Sequence, residues 1–568
     1  MTAGWLLVAL GCGRSEPPPR VAVQPPTKIA ARPEARAVTI ASSAISAPVA
    51  VPCAPWRFAV VAPSFEPILD IHLAKLIDKW RTGAIVADER TRVALAPVLG
   101  AYKAGSGTWS IIPAHELSPD KAAITIDGKH PLVDDVLVGD VCGAGVTRNI
   151  DPDKLTTLVM TGTTALTGRT AERIDTHGIA DITRYIAPFF KAADLVHISN
   201  EVSFVKKCKP RTGQDTLIFC ARDRYIELLE ALNVKIVELT GSHLTDYGDR
   251  SLARTIKMYE ERGWLWFGGG RTQIEATAPR FVEHHGNRLA FVGCNAVNAW
   301  VRRLSRGLGT AACDWARMKW QIQDLRRRGF FPIATVQHRE LRTHAPPPDL
   351  VRDLRGLAEA GARFVLGSQA HVAHPWDVHH GAYIHYGPGN LLFAQHREMQ
   401  REASVDKLYI YDNRLLGVSH IFVRTEHGQP RMLTVDERTA FLGDLEVAAG
   451  ALEPPKPTAA LELPPITRDR PDSLLVRGRN QYLNVLAPAA FEPDKRYRLV
   501  VDLDGTRAPA ADAFYVTPLG VPWHTERATG PEIADFMREK YPIDPTQLSI
   551  TPTKPTKKTK RRRRHATH

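Results

Sequence analysis

The chain has 568 residues, 44% of them apolar and 24% charged, which is the balance of a folded globular protein long enough for three or four domains. Its formal net charge of +13 is concentrated, because Lys554, Lys557, Lys558, Lys560 and Arg561–Arg564 supply eight of those charges from one tail. With the tail set aside, composition excludes a general nucleic-acid-binding surface and leaves the tail alone as a salt-sensitive anion binder or a solvated end.

Taken in chain order, the first apolar run is Trp5–Leu10, far too short to span a bilayer. With Gly11-Cys12 it resembles a bacterial lipobox, which implies a signal segment over residues 1–12 cleaved ahead of Cys12, with Cys12 the lipid-anchored first residue of the mature chain; an accidental apolar start is the alternative. Residues 13–52 are rich in Pro and Ala and read as an extended tether. Six more cysteines pair by spacing as Cys53–Cys142, Cys208–Cys220 and Cys294–Cys313, a pattern of an oxidising, exported setting, against buried free thiols.

Residues 53–148 form a separate small α/β unit. Phe58–Ala62 predicts a strand, Ile68–Lys79 a helix, and Gly105-Ser106-Gly107-Thr108 a turn before the run Trp109–Pro113. The stretch GTWSIIPAHELSPDKAAITIDG resembles a reduced half of a phosphate-type solute-binding domain. That kinship implies an anion held at Ser106 and Thr108; a plain polar turn is the other reading.

The main domain, residues 154–450, alternates strands and helices. Leu158–Met160, Val234–Leu239, Leu289–Val292, Pro332–Val336, Arg363–Leu366 and Ala382–Tyr386 predict strands, and Ala193–Phe204 resembles a strand running into a polar loop. Asp223–Leu232, Leu252–Glu261 and the Leu350, Leu354, Leu357 series have helical spacing. Asp406–Val423, with Leu408, Ile410, Val418 and Ile421 alternating, predicts a closing hairpin and Leu442–Ala449 a short helix. Trp264–Gly270 reads as a turn. Polar loops follow several strands at the carboxyl end, where α/β sheets place their chemistry.

Those loops carry the sequences Ser199-Asn200-Glu201, Gly241-Ser242-His243-Leu244-Thr245-Asp246-Tyr247-Gly248, Gln337-His338-Arg339-Glu340, Gly367-Ser368-Gln369-Ala370-His371 and Gly387-Pro388-Gly389-Asn390. In this order they resemble the CapA family, metallophosphatase-like proteins associated with poly-γ-glutamate capsules. The resemblance implies an α/β sandwich of the metallophosphatase type. It also implies a site in which Glu201, His243, Glu340, Gln369 and His371 face a divalent ion such as Mn, Zn or Fe, or no ion at all. Catalytic roles fall on His243, Asp246, Glu201 and His371, and substrate contacts on Ser199, Ser242 and Asn390. The chain departs from the family pattern at several places. No Asp follows the first strand before Asp175, Ser242 stands for Asn, Ser199 for Asn, and Gln369 for the first His of a G-x-H-x-H pair. The pairs His284-His285 and His379-His380 precede Gly286 and Gly381 and read as turn residues rather than a metal cluster.

Residues 451–470 are a Pro-rich linker. Residues 471–550, with strand Arg498–Leu503, turn Asp504-Gly505 and helix Pro531–Tyr541, resemble the opening of an esterase-type α/β hydrolase without a G-x-S-x-G elbow. A truncated segment of that kind is expected to be poorly packed. Residues 551–568 form a basic tail.

Three functions compete on these residues. They are a metal-dependent hydrolase or transferase on a phosphoester or γ-glutamyl amide, a non-catalytic lipoprotein holding an anionic surface polymer, and a metal-free acid/base enzyme. All three place the chain outside the cytoplasm, at the membrane through Cys12 or free of it, with an anionic polymer as partner and no specific nucleic acid.

Overall fold

The structure is a computed structural model that describes residues 52–209, 218–297, 309–339, 341–395 and 397–452, with separate stretches between 473 and 551. Cys12, the 13–51 tether, Glu340, the 453–470 linker, Asp504-Gly505 and the basic tail lie outside the described residues.

The main domain is a sandwich of two mixed sheets. In the first, strands Leu265–Phe267, Ile236–Glu238, Leu195–Asn200 and Leu155–Thr161 run parallel, and the antiparallel strands Glu402–Tyr411, Arg414–Glu426 and Gln429–Met432 complete it. In the second, Asn287–Asn295, Phe331–Gln337, Phe364–Leu366 and Ala382–His385 run parallel, with Arg280–His284 and Trp376–His379 antiparallel at its edges. Continuous apolar runs such as FPIATVQ are buried along their whole length, as parallel strands covered on both faces must be.

Side-chain alternation divides the core. Leu158, Met160, Phe291, Ile333, Phe364 and Leu408 fill the space between the sheets. Val159, Val196 and Val237 face outward onto helices through Ile174, Leu229 and Ile256. Ala290, Val336 and Val365 face outward onto Met318, Ile322 and Leu354. The result is the helix–sheet–sheet–helix sandwich that the CapA resemblance implies.

The expected strands are present, and other elements differ from expectation, among them strands Arg280–His284 and Gln429–Met432 and helices Gly168–His177 and Trp315–Arg327. Leu265–Phe267 is a strand where a turn is expected, Trp376–His379 is an unforeseen edge strand, and the terminal helix runs Val435–Gly450. That helix starts early because Thr434 and Glu437 form a reciprocal capping box.

The sheets are joined by polar groups as well as apolar ones. Asp406, on the first sheet and fully buried, accepts hydrogen bonds from His385 Nδ1 of the second sheet at 2.6 Å and from His420 Nδ1 of its own sheet at 3.0 Å. Tyr383 of the second sheet reaches His420 Nε2 at 3.1 Å, and Trp376 stacks on the same imidazole at 4.4 Å between centroids. At the other end of the sandwich Asn287 Nδ2 donates to Lys154 O, Thr156 Oγ1 and Ile410 O.

The N-terminal unit has its own sheet and core. Its central strand Cys53–Pro63 pairs antiparallel with Trp109–Pro113, Lys121–Ile126 and Val138–Cys142, with helices Leu73–Thr82 and Glu89–Leu99 packed through Leu76, Trp80 and Leu95. It docks on the main domain through a small core of Val61, Leu132, Ile150 and Leu416. In the same contact His130 stacks on Tyr409 at 3.9 Å, and burial pushes that imidazole down to about 3, so it stays neutral. The Gly105–Thr108 turn packs against the C-cap of helix Leu73–Thr82: a Cβ on Gly105 would lie 1.7 Å from Gly83 O. Close backbone approach therefore accounts for glycine at this position.

Three disulfides are formed as the spacing predicts: Cys53–Cys142, Cys208–Cys220 and Cys294–Cys313. In the C-terminal part, strands Tyr497–Asp502, Ala513–Pro518 and Ile543–Thr551 and helix Gly530–Lys540 enclose Leu499, Val501, Phe514, Ile533 and Met537. The expectation of a poorly packed segment is thus corrected for these residues, because strand and helix share one apolar face.

Burial alone would raise the Asp406 carboxyl, but the charges and hydrogen bonds of His385 and His420 outweigh it and hold it below the usual carboxylate range. Its contribution to stability is therefore complete above about pH 4 and fades as pH falls towards the lower, folded-state value. Asp406→Asn should cost roughly 3–5 kcal/mol in urea unfolding at pH 7, by removing the buried charge and replacing one of its two accepting oxygens with a donor facing an imidazole N–H. It should also flatten the acid side of the stability curve.

Candidate functional site

Parallel strands deliver their loops to one end, so Thr163, Glu201, His243, Asn295, Gln337, Gln369 and His371 follow strands that finish at the same edge of the sandwich. The approach of the loops is tight. A Cβ on Gly241 would lie 2.6 Å from Glu201 Cα, so only glycine lets the His243 loop pass beside Glu201. An isolated bridge between Val202 and His243 fixes the same two loops.

His243 Nδ1 donates to Asp246 Oδ2 at 2.7 Å, with side chains 22% and 16% exposed. That bond leaves Nε2 as the imidazole nitrogen for external partners. Burial acts against charge on His243, yet the Asp246 hydrogen bond and the charges of Glu201 and Asp246 prevail over it and over His371, so its pKa is raised. Glu201, 1% exposed, receives Ser242 Oγ at 3.5 Å. His371 Nδ1 bonds Asn390 Oδ1 at 2.8 Å, and Asn390 Nδ2 is anchored on Gln395 Oε1 and Gln400 O at 3.0 Å each. Phe219 and Phe393 wall the imidazoles: Phe219 meets His243 edge-on at 4.7 Å and Phe393 meets His371 at 5.3 Å.

The remaining positions hold amides and hydroxyls. Gln369, fully buried, donates Nε2 to Ser199 Oγ at 2.6 Å. Asn295 Nδ2 donates to Thr240 O at 2.7 Å and to Gln337 Oε1, and Gln337 Nε2 continues to Ser242 Oγ at 3.4 Å. Asn295 and Gln337 are unforeseen members of the site. His338 turns away instead, its Nε2 3.3 Å from Asp353 Oδ2. The strand extends to Gln337, one residue past the predicted end, and alternation then puts Gln337 and His338 on opposite faces.

Of the residues foreseen, Glu201, His243, Asp246 and Ser242 stand together, and Gln369–Ser199 and His371–Asn390 form two bonded pairs in the neighbouring loops. Glu340 lies outside the described residues. The CapA resemblance implies a divalent ion, and its donors here would be Glu201, His243 Nε2 and His371 Nε2. Among the described residues these three do not bring their ligand atoms within 4.8 Å of one another. Thr163, Ser242, Gln337 and Gln369 offer only neutral groups, all four already hydrogen-bonded as donors. As placed, the set does not fit a divalent ion.

Residues 157–395 match the family described as bacterial capsule synthesis protein PGA_cap. Capsule biosynthesis protein CapA of Bacillus anthracis is 20% identical over 294 residues, which are 50% of this chain and 71% of that protein. PGA biosynthesis protein CapA of Bacillus subtilis (strain 168) is 23% identical over 253 residues, 43% of this chain and 66% of that protein, just under two thirds of its length. Through residues 157–395 the chain is thus similar to the CapA family. Among solved structures, a 5'-nucleotidase precursor from Thermus thermophilus is similar at 14% identity and a TM-score of 0.29, over 52% of this chain and 58% of that one.

The electrostatics of the dyad are testable. Asp246→Asn removes both a hydrogen bond and a charge that favour the imidazolium, so the His243 titration should move to lower pH. Histidine-resolved NMR over pH 5–9 measures the shift, and an unmoved titration would show that Asp246 does not set it.

Proposed function

We propose that the chain is an exported cell-envelope protein of capsule biosynthesis that processes a γ-glutamyl polymer by acid/base chemistry without a metal. The single observation that carries this reading is the His243–Asp246 dyad, with the charges of Glu201 and His371 acting on the same imidazole. In this scheme Glu201 takes a proton from the attacking water and the His243 imidazolium gives one to the leaving amide nitrogen. His371, held by Asn390, orients the carbonyl. Ser199, Ser242 and Asn390 line the polymer's path. Capsule work is drawn from the printed names of the relatives, and export from the three disulfides. Among the described residues no helix is long and apolar enough to cross a membrane, so attachment rests on Cys12 in this reading.

A second reading, polymer retention without catalysis, is favoured by the neutral Thr163, Ser242, Gln337 and Gln369. Incubating the full chain with poly-γ-glutamate of defined length separates the two. The first reading expects new amine ends and shorter polymer from the wild type, and a loss of at least ~100-fold in rate for His243→Asn. Polymer that stays intact but binds, more weakly at higher salt, rejects it in favour of retention.

Attachment has its own test in the producing cell. Cys12→Ser should move the protein from the membrane fraction to the soluble one; unchanged membrane association would rule out a lipid anchor at Cys12.

A further inference from the structure

The sequence carries His-His-Gly twice, and the two copies fold alike but end differently. His285-Gly286 and His380-Gly381 both turn a hairpin with positive φ, 47° and 76° in the first and 52° and 71° in the second. Such turns are best served by Asn-Gly, so backbone geometry alone asks nothing of an imidazole. In the first copy the rings bond the fold: His284 Nδ1 meets Thr156 Oγ1 at 3.1 Å and His285 Nδ1 meets Leu155 O at 2.6 Å. In the second, His380 Nδ1 is buried and makes no hydrogen bond among the described residues. A buried polar nitrogen left this way is costly and asks for a ligand.

Its neighbours supply the rest of a coordination set. Glu359 is the last residue of helix Pro348–Glu359, and His379 is the last residue of strand Trp376–His379. One ligand atom from each of Glu359, His379 and His380 lies within 4.8 Å of the others, the one such group of three among the described residues. His379 Nε2 and Glu359 Oε1 are already 3.1 Å apart. The His379 side chain is 2% exposed and that of Glu359 46%, so one side of the group is packed and the other is open to water. The nearby cation, Arg355, is engaged by Asp377 and Tyr386.

We propose that Glu359, His379 and His380 bind one zinc-class divalent ion, with water completing the coordination. Two imidazole nitrogens and one carboxylate suit Zn²⁺ and the late first-row ions, whereas Mg²⁺ and Ca²⁺ prefer oxygen alone. The ion would pin the end of a helix to the hairpin beside it, on the edge of the second sheet.

The full chain, without an affinity tag, is loaded with Zn²⁺, dialysed and analysed for metal by plasma mass spectrometry, with thermal unfolding followed in parallel. The wild type should retain one zinc per chain and unfold at higher temperature with zinc than without. His380→Asn preserves the turn, because Asn-Gly is the preferred pair there, and should lose both the zinc and the thermal shift. Glu359→Gln should lose the zinc too. His285→Asn and His243→Asn should keep it. A wild type that retains no zinc, or zinc retained in full by His380→Asn, overturns the proposal. So does zinc lost from His243→Asn but kept by His380→Asn, which would move the ion to the strand-end site and contradict the metal-free reading as well.

Discussion

The Asp406 carboxylate has no solvent around it, and its two imidazole partners come from different sheets. Apolar contact between Leu158, Ile333 and their neighbours would hold the sheets together in many relative offsets, since hydrophobic attraction is not directional. A buried charge with two fixed donors tolerates far fewer, because any slide leaves it desolvated and unpaired. Site loops arise from both sheets, Glu201 and His243 from one, Gln337 and His371 from the other. Their mutual placement therefore depends on this clamp together with the bonds Asn295–Thr240 and Gln369–Ser199, which also join loops of the two sheets.

Within the site, two kinds of side chain divide the labour. The imidazoles are oriented by acceptors on the far nitrogen, Asp246 for His243 and Asn390 for His371, so each presents Nε2. The amides of Gln337, Asn295 and Gln369 are committed to one another and to Ser199 and Ser242, which stiffens the floor without adding charge. The chain thus retains the family's loop order while the groups along those loops have changed in kind.

Much of this was legible in the sequence. Buried strands announce themselves as apolar runs, and a carboxylate three residues after a loop histidine, as at His243 and Asp246, is visible by spacing. Asn295 and Gln337 were not visible, because a neutral amide in a loop carries no signature until its partner is known. The strand before Gln337 ends one residue late, and that single step exchanges Gln337 for His338 at the site. The Asp406 clamp joins positions 14 and 21 residues apart across two sheets, a pairing that no local pattern encodes. The terminal helix was read too short because its amphipathic signal begins well after the Thr434 cap that starts it.

The bridge between Cys53 and Cys142 has a mechanical consequence. It closes across paired strand ends whose Cα atoms are 4.0 Å apart and spans 89 residues of sequence. Tension entering through Pro52 crosses this covalent bond and leaves through Gly143 towards Leu155, so nearly all of the N-terminal unit is bypassed. That unit hangs beside the load path rather than in it. A pull on the preceding segment would reach the main domain while the small sheet stays folded.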